Sequence, residues 1–529
     1  MFQVRASRDA RPASVSDRYP FASFGTRTMN DDSVPHTHIA ILGTGFSGLG
    51  MAIQLKKHGY NDFMIIERSD DIGGTWRDNT YPGCACDIPS LLYSFSFAPN
   101  PNWTRLYPQQ KEIQNYLRRC ARRFGILPHI RWQSELVEAV WNEDEQRWHI
   151  TTTQEHFTAD IFICGNGPLN EPSLPAIAGI EQFEGTIFHS SQWRHDYDLT
   201  GKRVAVIGTG ASAVQFVPQI QPKVAHMAVF QRTPPWIVPR MDHPFSERQK
   251  RLFRLLPVAQ RLARARIYLR NELTALGLVY RPEVMKKGMG FAREHLARQV
   301  PDPVLREKLT PRYAMGCKRI LVSDDFYPAL GKSNVELVTE SIREIRAHSV
   351  VTADGREYEV DTIICGTGFH VTDAPFPQHV RGLHKQTLAE KWNASPTAYL
   401  GTTIADFPNF FLLIGPYTGL GHNSMIYMIE SQINYILDCL RKMERHHVQS
   451  VEVLPEAQAA FDDEMQRRMQ GTAWTSGCAS WYLTSSGRNT TIWPGFTFEF
   501  RYRTRRFDWN HYSHAAHPSA VPSFSSPSS

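Results

Sequence analysis

Residues 38–67 read HIAILGTGFSGLGMAIQLKKHGYNDFMIIE. The apolar run His38–Leu42 predicts a strand buried on both faces, the pattern of a parallel sheet covered by helices. It runs into Gly43-Thr44-Gly45-Phe46-Ser47-Gly48, then a helical stretch Leu49–Lys57 closed by Gly59, then a second apolar strand, Phe63–Glu67. Each glycine has its own physical reason. Gly43 permits the sharp turn, Gly45 lets backbone approach a pyrophosphate, and Gly48 lets helix and strand pack closely. Phe46 and Ser47 lie at the helix N-terminus, whose N–H groups and dipole attract phosphate. Glu67 stands 24 residues after Gly43, where an acid accepts hydrogen bonds from ribose hydroxyls. Strand, turn, helix and acid in register predict a dinucleotide-binding fold.

The pattern recurs about 165 residues later. Gly208-Thr209-Gly210-Ala211-Ser212-Ala213 follows the apolar run Arg203–Ile207, with Ala213 in the place that the fingerprint opens to alanine. The next strand, Met227–Arg232, ends in Gln231-Arg232-Thr233 rather than an acid. A carboxylate there would repel a 2′-phosphate, whereas a guanidinium binds one with two hydrogen bonds. Two fingerprints therefore predict an α/β chain with two Rossmann-like domains, FAD in the first and NADPH in the second. Passage of hydride from NADPH to a flavin is the minimal chemistry. Disulfide or ferredoxin-type reductases and flavin monooxygenases both fit.

The 529 residues are 42% hydrophobic, 11% aromatic and 21% charged, a globular balance that excludes disordered, collagen-like and disulfide-scaffold classes. No run of 18 apolar residues occurs, so no transmembrane segment is expected. Eight cysteines contain no C-x-x-C pair, which removes most support for a dithiol reductase and for a zinc site; only the C-x-C of Cys84 and Cys86 remains. Reduced thiols in a cytoplasmic enzyme, with no metal, are the expectation. Asn142-Glu143-Asp144-Glu145 between alternating segments predicts one antiparallel hairpin, and Asp354-Gly355 inside Val350–Val360 another.

Between the fingerprints, Phe183-Glu184-Gly185-Thr186-Ile187-Phe188-His189-Ser190-Ser191-Gln192-Trp193 resembles the F-x-G-x-x-x-H-x-x-x-W signature of class B flavoprotein monooxygenases of the Baeyer–Villiger type. Gly74-Thr75-Trp76-Arg77-Asp78-Asn79-Thr80-Tyr81-Pro82-Gly83-Cys84-Ala85-Cys86-Asp87 matches that type's other long motif, G-x-W-x-x-x-x-Y-P-G-x-x-x-D. The resemblance spans about residues 36–500, and Arg194 departs from the Pro or Asp common there. Asp160–Pro168 and Asp361–Phe369 look like the segments where the chain passes between nucleotide domains.

The resemblance implies that NADPH reduces FAD, dioxygen adds to give a flavin C4a-peroxide, and a ketone becomes an ester or lactone. Lys318-Arg319 matches the family's Lys-Arg pair. By that match Arg319 is the catalytic arginine that stabilises the peroxide's charge, a role suited to an always-charged guanidinium. Lys318 would join Arg232 at the NADP 2′-phosphate. Asp87 would pair with Arg319 beside the flavin and nicotinamide, and Gly74, Thr75, Trp76, Ile88 and Tyr93 would line the cofactor. His189 and Trp193, four apart and able to share a helical face, would belong to a linker rather than to bond making. Gly415–Ser424 would open a long helix aimed at the flavin, and Trp493-Pro494-Gly495 would wall the substrate pocket. Oxygenation of amines or sulfides, and an NADPH-dependent reductase without oxygen insertion, are the rival readings.

These signals divide the chain into an N-terminal extension (1–36, disordered), an FAD-binding domain (37–175 and 371–510), an NADP-binding domain (176–245 and 313–370), a helical insertion (246–312) and a disordered tail (511–529). Met29 is a second candidate start. The net charge of +6 is local in origin: residues 246–312 hold sixteen Lys+Arg against six Asp+Glu, and the remainder is mildly acidic. No nucleic-acid partner is expected. The basic insertion reads either as a solvated face packed over the active site or as a peripheral contact with an anionic membrane.

Overall fold

The structure, a computed structural model, describes residues 34–516. It opens with β1 (His36–Leu42), α1 (Phe46–Lys57) and β2 (Phe63–Ile66), followed by a short α2 (Thr75–Asp78), α3 (Gln110–Arg123) and β3 (Ile130–Arg131). β4 (Leu136–Asn142) and β5 (Arg147–Thr152) form an antiparallel hairpin that leads into β6 (His156–Cys164). Asn142 makes that turn, its Oδ1 accepting from the N–H groups of Asp144 and Glu145. β6, β1, β2 and β3 are parallel, in that order. Ile39, Ala40 and Ile41 are fully buried, as strands covered on both faces must be.

The chain then builds a second sheet. β7 (Thr186–His189), β8 (Arg203–Ile207), α4 (Ala211–Ile220), β9 (His226–Phe230) and β10 (Ile237–Val238) precede the insertion. The insertion is helical, with α5 (Glu247–Leu255), α6 (Pro257–Ala275), a π-helical turn at Leu276–Tyr280, α7 (Met285–Gln299) and α8 (Pro303–Lys308). β11 (Leu321–Val322) returns beside β10, so the two strands clasp its root. After α9 (Phe326–Leu330) come β12 (Val335–Val338) and the meander β13 (Ile342–Arg346), β14 (Ser349–Thr352) and β15 (Glu357–Glu359), then β16 (Thr362–Cys365). Gly355, at φ +87°, makes the turn between β14 and β15. The five parallel strands stand in the order β12-β9-β8-β16-β7.

The rest of the chain goes back to the first sheet. β17 (Val380–Arg381) pairs with β4, α10 (Leu388–Trp392) follows, and β18 (Phe410–Leu412) extends the edge of β6. α11 (Met425–His446) packs on α1, burying Ile429, Ile433 and Ile436 along one face. β19 (Val448–Val453), α12 (Pro455–Met469) and α13 (Thr497–Arg503) follow, and β20 (Tyr512–Ala516) closes the described chain.

Three local expectations change. Tyr512–Ala516 is not disordered but pairs antiparallel with β19, because Tyr512 buries its ring against Phe507. His36, placed in the N-terminal extension, already belongs to β1. His189 and Trp193 share no helix: His189 ends β7, and one 3-10 turn, Ser190–Gln192, separates them. Residues 1–33 and 517–529, Met29 included, lie outside the described residues.

Candidate active site

The two glycine turns explain their own sequences. Gly43 has φ +92° and donates its N–H to Ile66 O at 2.8 Å, tying the turn between β1 and α1 to the end of β2. A Cβ on Gly48 would stand 1.9 Å from Gly43 O, so only glycine lets α1 lie this close to β1. A Cβ on Gly45 would meet nothing nearer than Gly74 Cα at 3.9 Å, so the space over it is open to a ligand. The second turn repeats this: Gly208 has φ +102° and a Cβ there would stand 2.6 Å from Gly366 O, while a Cβ on Gly210 meets only that oxygen at 3.9 Å. Gly45 and Gly210 are the N-caps of α1 and α4. Neither helix has a side-chain cap or an acidic residue in its first turn. With open space over Gly45 and Gly210, the first-turn N–H groups at Phe46, Ser47 and Gly48, and at Ala211, Ser212 and Ala213, can accept an external anion. Thr209 is buried beside them. The residues fit two dinucleotides.

Around the first turn, Gly74 packs on Gly45 and caps α2, bringing Thr75 and Trp76 to the fingerprint. Trp76 Nε1 donates to the Tyr93 hydroxyl at 2.9 Å, and the Tyr93 ring meets Phe46 edge-on at 5.1 Å. Burial pushes the Tyr93 phenol far above its ordinary range. Glu67 is buried, and its lone pairs are already engaged. Thr44 donates its N–H (3.0 Å) and hydroxyl (2.6 Å), Ser69 its N–H (3.0 Å), and Arg77 Nη1 the fourth bond (2.7 Å). A ribose hydroxyl would have to share these oxygens with donors that hold the carboxylate in place. No sequence signal marks Arg77 for this pair, because a loop separates it from Glu67 and only the fold brings the two together.

The Tyr-Pro-Gly segment joins the two halves of the site. Gly83, at φ +80°, passes so near α4 that a Cβ would stand 2.7 Å from Gln215 O. Gln215 bonds the turn from the other side, accepting from Tyr81 OH (3.1 Å) and Ala85 N (3.2 Å) and donating to Ala85 O (3.0 Å). Docked in this way, the segment delivers Asp87 to Arg319. Asp87 Oδ2 accepts from Arg319 Nε (2.8 Å) and Nη2 (2.6 Å), while Arg319 Nη1 faces Leu420 O at 3.4 Å. The Asp87 carboxylate, outweighing burial, holds the guanidinium charged far past any working pH. Ile88 lies alongside, its N–H on Cys86 Sγ at 3.4 Å. Tyr482 was missed: its buried hydroxyl has no hydrogen-bond partner among the described residues. Burial pushes it up to about 12, with the Arg319 charge pulling the other way. Nothing in the local sequence marks it.

Arg232 and Lys318 also come together. The Lys318 ammonium is pushed below its ordinary range, first by burial and then by the Arg232 charge. Its Nζ sits 5.2 Å from the Tyr313 ring centroid. Among the described residues no carboxylate pairs with either cation, and two unneutralised positive groups make a place for a phosphate. Gln231 is buried beside them in sequence: its Nε2 donates to Lys308 O at 2.9 Å, and its Oε1 has no partner among the described residues.

Other residues take structural places. His189 is buried, its Nδ1 accepting from Ser191 N at 3.2 Å, and burial lowers its pKa to about 4. Trp193 packs between Phe188 and Phe216. The two linker segments meet at their ends, where residues 171–173 and 368–370 run antiparallel, with Ser173 N on Gly368 O and His370 N on Glu171 O. Cys84 and Cys86 are buried thiols whose pKa values burial raises, Cys84 to about 12, the wrong direction for a redox pair. Trp493 is fully buried between Arg468 and Arg503, in the core rather than on a pocket wall. The expectation of reduced thiols fails at one pair: Cys317 and Cys478 form a disulfide, joining the segment just before Lys318-Arg319 to the loop before Tyr482. The other six cysteines are free and buried.

A family model described as FMO-like, flavin-binding monooxygenase-like, matches residues 36–264. A Baeyer–Villiger monooxygenase of Pseudomonas aeruginosa is 49% identical over 490 residues, covering 92% of this chain and 93% of the relative. One of Streptomyces coelicolor is 48% identical over 479 residues, covering 90% and 92%. The crystal structure of cyclohexanone monooxygenase from Rhodococcus sp. Phi1 bound to NADP+ superposes with a TM-score of 0.82 at 26% identity, over 92% of this chain and 100% of that one. OTEMO in complex with FAD and NADP superposes with a TM-score of 0.82 at 27% identity, over 91% and 100%. Identity at this level along nearly the whole chain, over a site built on two anion-seeking glycine turns and a shared Asp–Arg pair, leaves one conclusion: the chain belongs to the flavin-binding monooxygenases, and within them to the Baeyer–Villiger type.

Proposed function

We propose that the chain inserts one atom of dioxygen beside the carbonyl of a small-molecule ketone, giving an ester or lactone, with Arg319 as the catalytic cation and Asp87 as the group that orients it. The observation that carries this is the two-donor contact of Arg319 with one oxygen of Asp87, at the seam between the two glycine turns. FAD, reduced by NADPH, supplies the activation of dioxygen when bound; the second oxygen atom leaves as water. In this reading residues 37–175 and 371–510 hold FAD, through the N–H groups of α1, Gly74–Trp76 and Tyr93. Residues 176–245 and 313–370 hold NADPH, through the N–H groups of α4, Arg232 and Lys318.

The chain's own contribution is electrostatic. Negative charge develops on oxygen during insertion, and a preorganised cation stabilises it most where water is excluded. Arg319 meets that need because it cannot lose its proton, and because Asp87 fixes its plane and leaves Nη1 pointing toward Leu420. NADPH as reductant makes the cytoplasm the compartment we assign.

Arg319→Ala tests the assignment. Anaerobic reduction of the flavin by NADPH should persist within about threefold, while ester formation from a panel of ketones falls by about 100-fold or more, on the order expected for removing one preorganised stabiliser. Ester formation retained near the wild-type rate would remove Arg319 from the chemistry. Turnover of amines or sulfides in preference to every ketone by the wild type would replace the reaction.

A further inference from the structure

The insertion carries a surface that the reaction does not use. α6 and the first residue of the turn after it hold Val258, Leu262, Leu269, Leu273 and Leu276 outward, each 42–66% exposed. Their spacing is that of a single helical face, so they form one stripe along the helix. Three polar residues of α6, Gln260, Arg264 and Glu272, face inward instead. Gln260 Nε2 donates to Asn100 O at 2.8 Å, and Arg264 Nη1 to Leu91 O and Ser94 O at 2.7 and 2.9 Å. Glu272, the helix's only carboxylate, is buried and accepts from Thr497 N at 2.9 Å and Asn423 Nδ2 at 3.2 Å. These buried bonds fix the rotation of α6, so its leucines are held in solvent by the fold itself.

Arginines flank the stripe. Arg261, Arg266 and Arg270 lie on the exposed side of α6, and among the described residues none forms an ion pair; the acid of neighbouring α5, Glu247, is taken by Lys250 and Arg254. The apolar surface continues past the helix. Tyr280 stacks on Phe496 at 5.1 Å, and Phe496 on Phe498 at 5.0 Å, leading to the exposed Phe498 and Tyr502 of α13. Contiguous apolar surface of this extent marks a place where something binds.

We propose that this face docks on an anionic phospholipid bilayer, the leucines entering the acyl boundary and the guanidiniums meeting lipid phosphates. Outward leucines beside a row of uncompensated arginines are what an interfacial helix presents. A second copy of the chain is a poorer occupant, because a twofold contact would bring one arginine row against another with no carboxylate between them. The docking does not depend on the reaction assigned above.

Cosedimentation of the FAD-loaded full chain with vesicles tests it. The wild type should pellet with phosphatidylcholine vesicles containing phosphatidylglycerol, much less with phosphatidylcholine alone, and lose binding as salt is raised. Leu262→Ser/Leu269→Ser/Leu273→Ser, and separately Arg261→Gln/Arg266→Gln/Arg270→Gln, should each weaken vesicle binding about tenfold or more while retaining flavin and melting temperature. Absence of wild-type binding to the anionic vesicles, or binding unchanged in both variants, would overturn the proposal. So would sedimentation velocity showing a dimer that the leucine substitutions dissociate, because a second copy would then own this face.

Discussion

Burial decides what His189 can do. With its pKa lowered to about 4, the ring is neutral in the folded protein throughout the working range. The unfolded chain takes up that proton as pH falls below about 6.5, the folded chain only near 4, so folding stability declines across that window and the loss stops growing beneath it. His189→Asn, which keeps an acceptor for Ser191 N, should therefore lose less stability than wild type between about pH 7 and pH 4.5. A difference of about 1–3 kcal/mol is expected, measured by guanidinium denaturation at both values. Arg232 and Lys318 pose the opposite problem, two cations whose repulsion an arriving phosphate relieves. Arg232→Ala should raise the KM for NADPH about tenfold or more, leave that for NADH nearly unchanged and barely alter kcat, as steady-state assays with both nucleotides would show. The residues of this scale were unequally legible. Arg232 is legible because it ends the strand of a local fingerprint, whereas the Arg319–Asp87 pair is reached only through a motif, because 232 residues separate the two. Tyr482 left no trace, since a hydroxyl's partners depend on what packs around it.

At the scale of elements, the first βαβ unit separates glycines that the fold requires from one over which it leaves open space. Gly48→Ala would drive a Cβ into Gly43 O, so α1 must lift from β1; the apoprotein should melt several degrees lower, or fail to fold. Gly45→Ala meets open space, so the apoprotein should melt like wild type while flavin affinity falls. Equal melting of the two apo variants by scanning calorimetry would contradict this division. These elements were readable because their signals are local: a period-two apolar run, a turn that only glycine permits, a helix left uncapped. The His189–Trp193 spacing misled for the same local reason. Four residues fit a helical face, yet parallel pairing of β7 with β16 holds His189 extended. β20 was missed because Tyr512–Ala516 gains from pairing only when β19 and the aromatic cluster at Phe507 are in place.

For the molecule as a whole, the site lies on segments far apart in the chain, and the Cys317–Cys478 disulfide ties two of them. It closes 161 residues of chain, so losing it frees the unfolded state by about 2–4 kcal/mol. Cys478→Ser should lower the chemical unfolding midpoint, and reductant should do the same to the wild type but nothing further to the variant. An unchanged midpoint in the variant would show that the bond does not form in solution. The sequence alone determined the two glycine turns, their order and the basic character of the insertion, because each depends on neighbours within one helix or turn. Only the tertiary structure decided that Glu67 is saturated by Thr44, Ser69 and Arg77, that Asp87 reaches Arg319, that two cysteines join, and that the leucines of α6 face outward. Those outcomes depend on which surfaces meet, and burial, not spacing, sets the cost of every charge and hydroxyl caught between them.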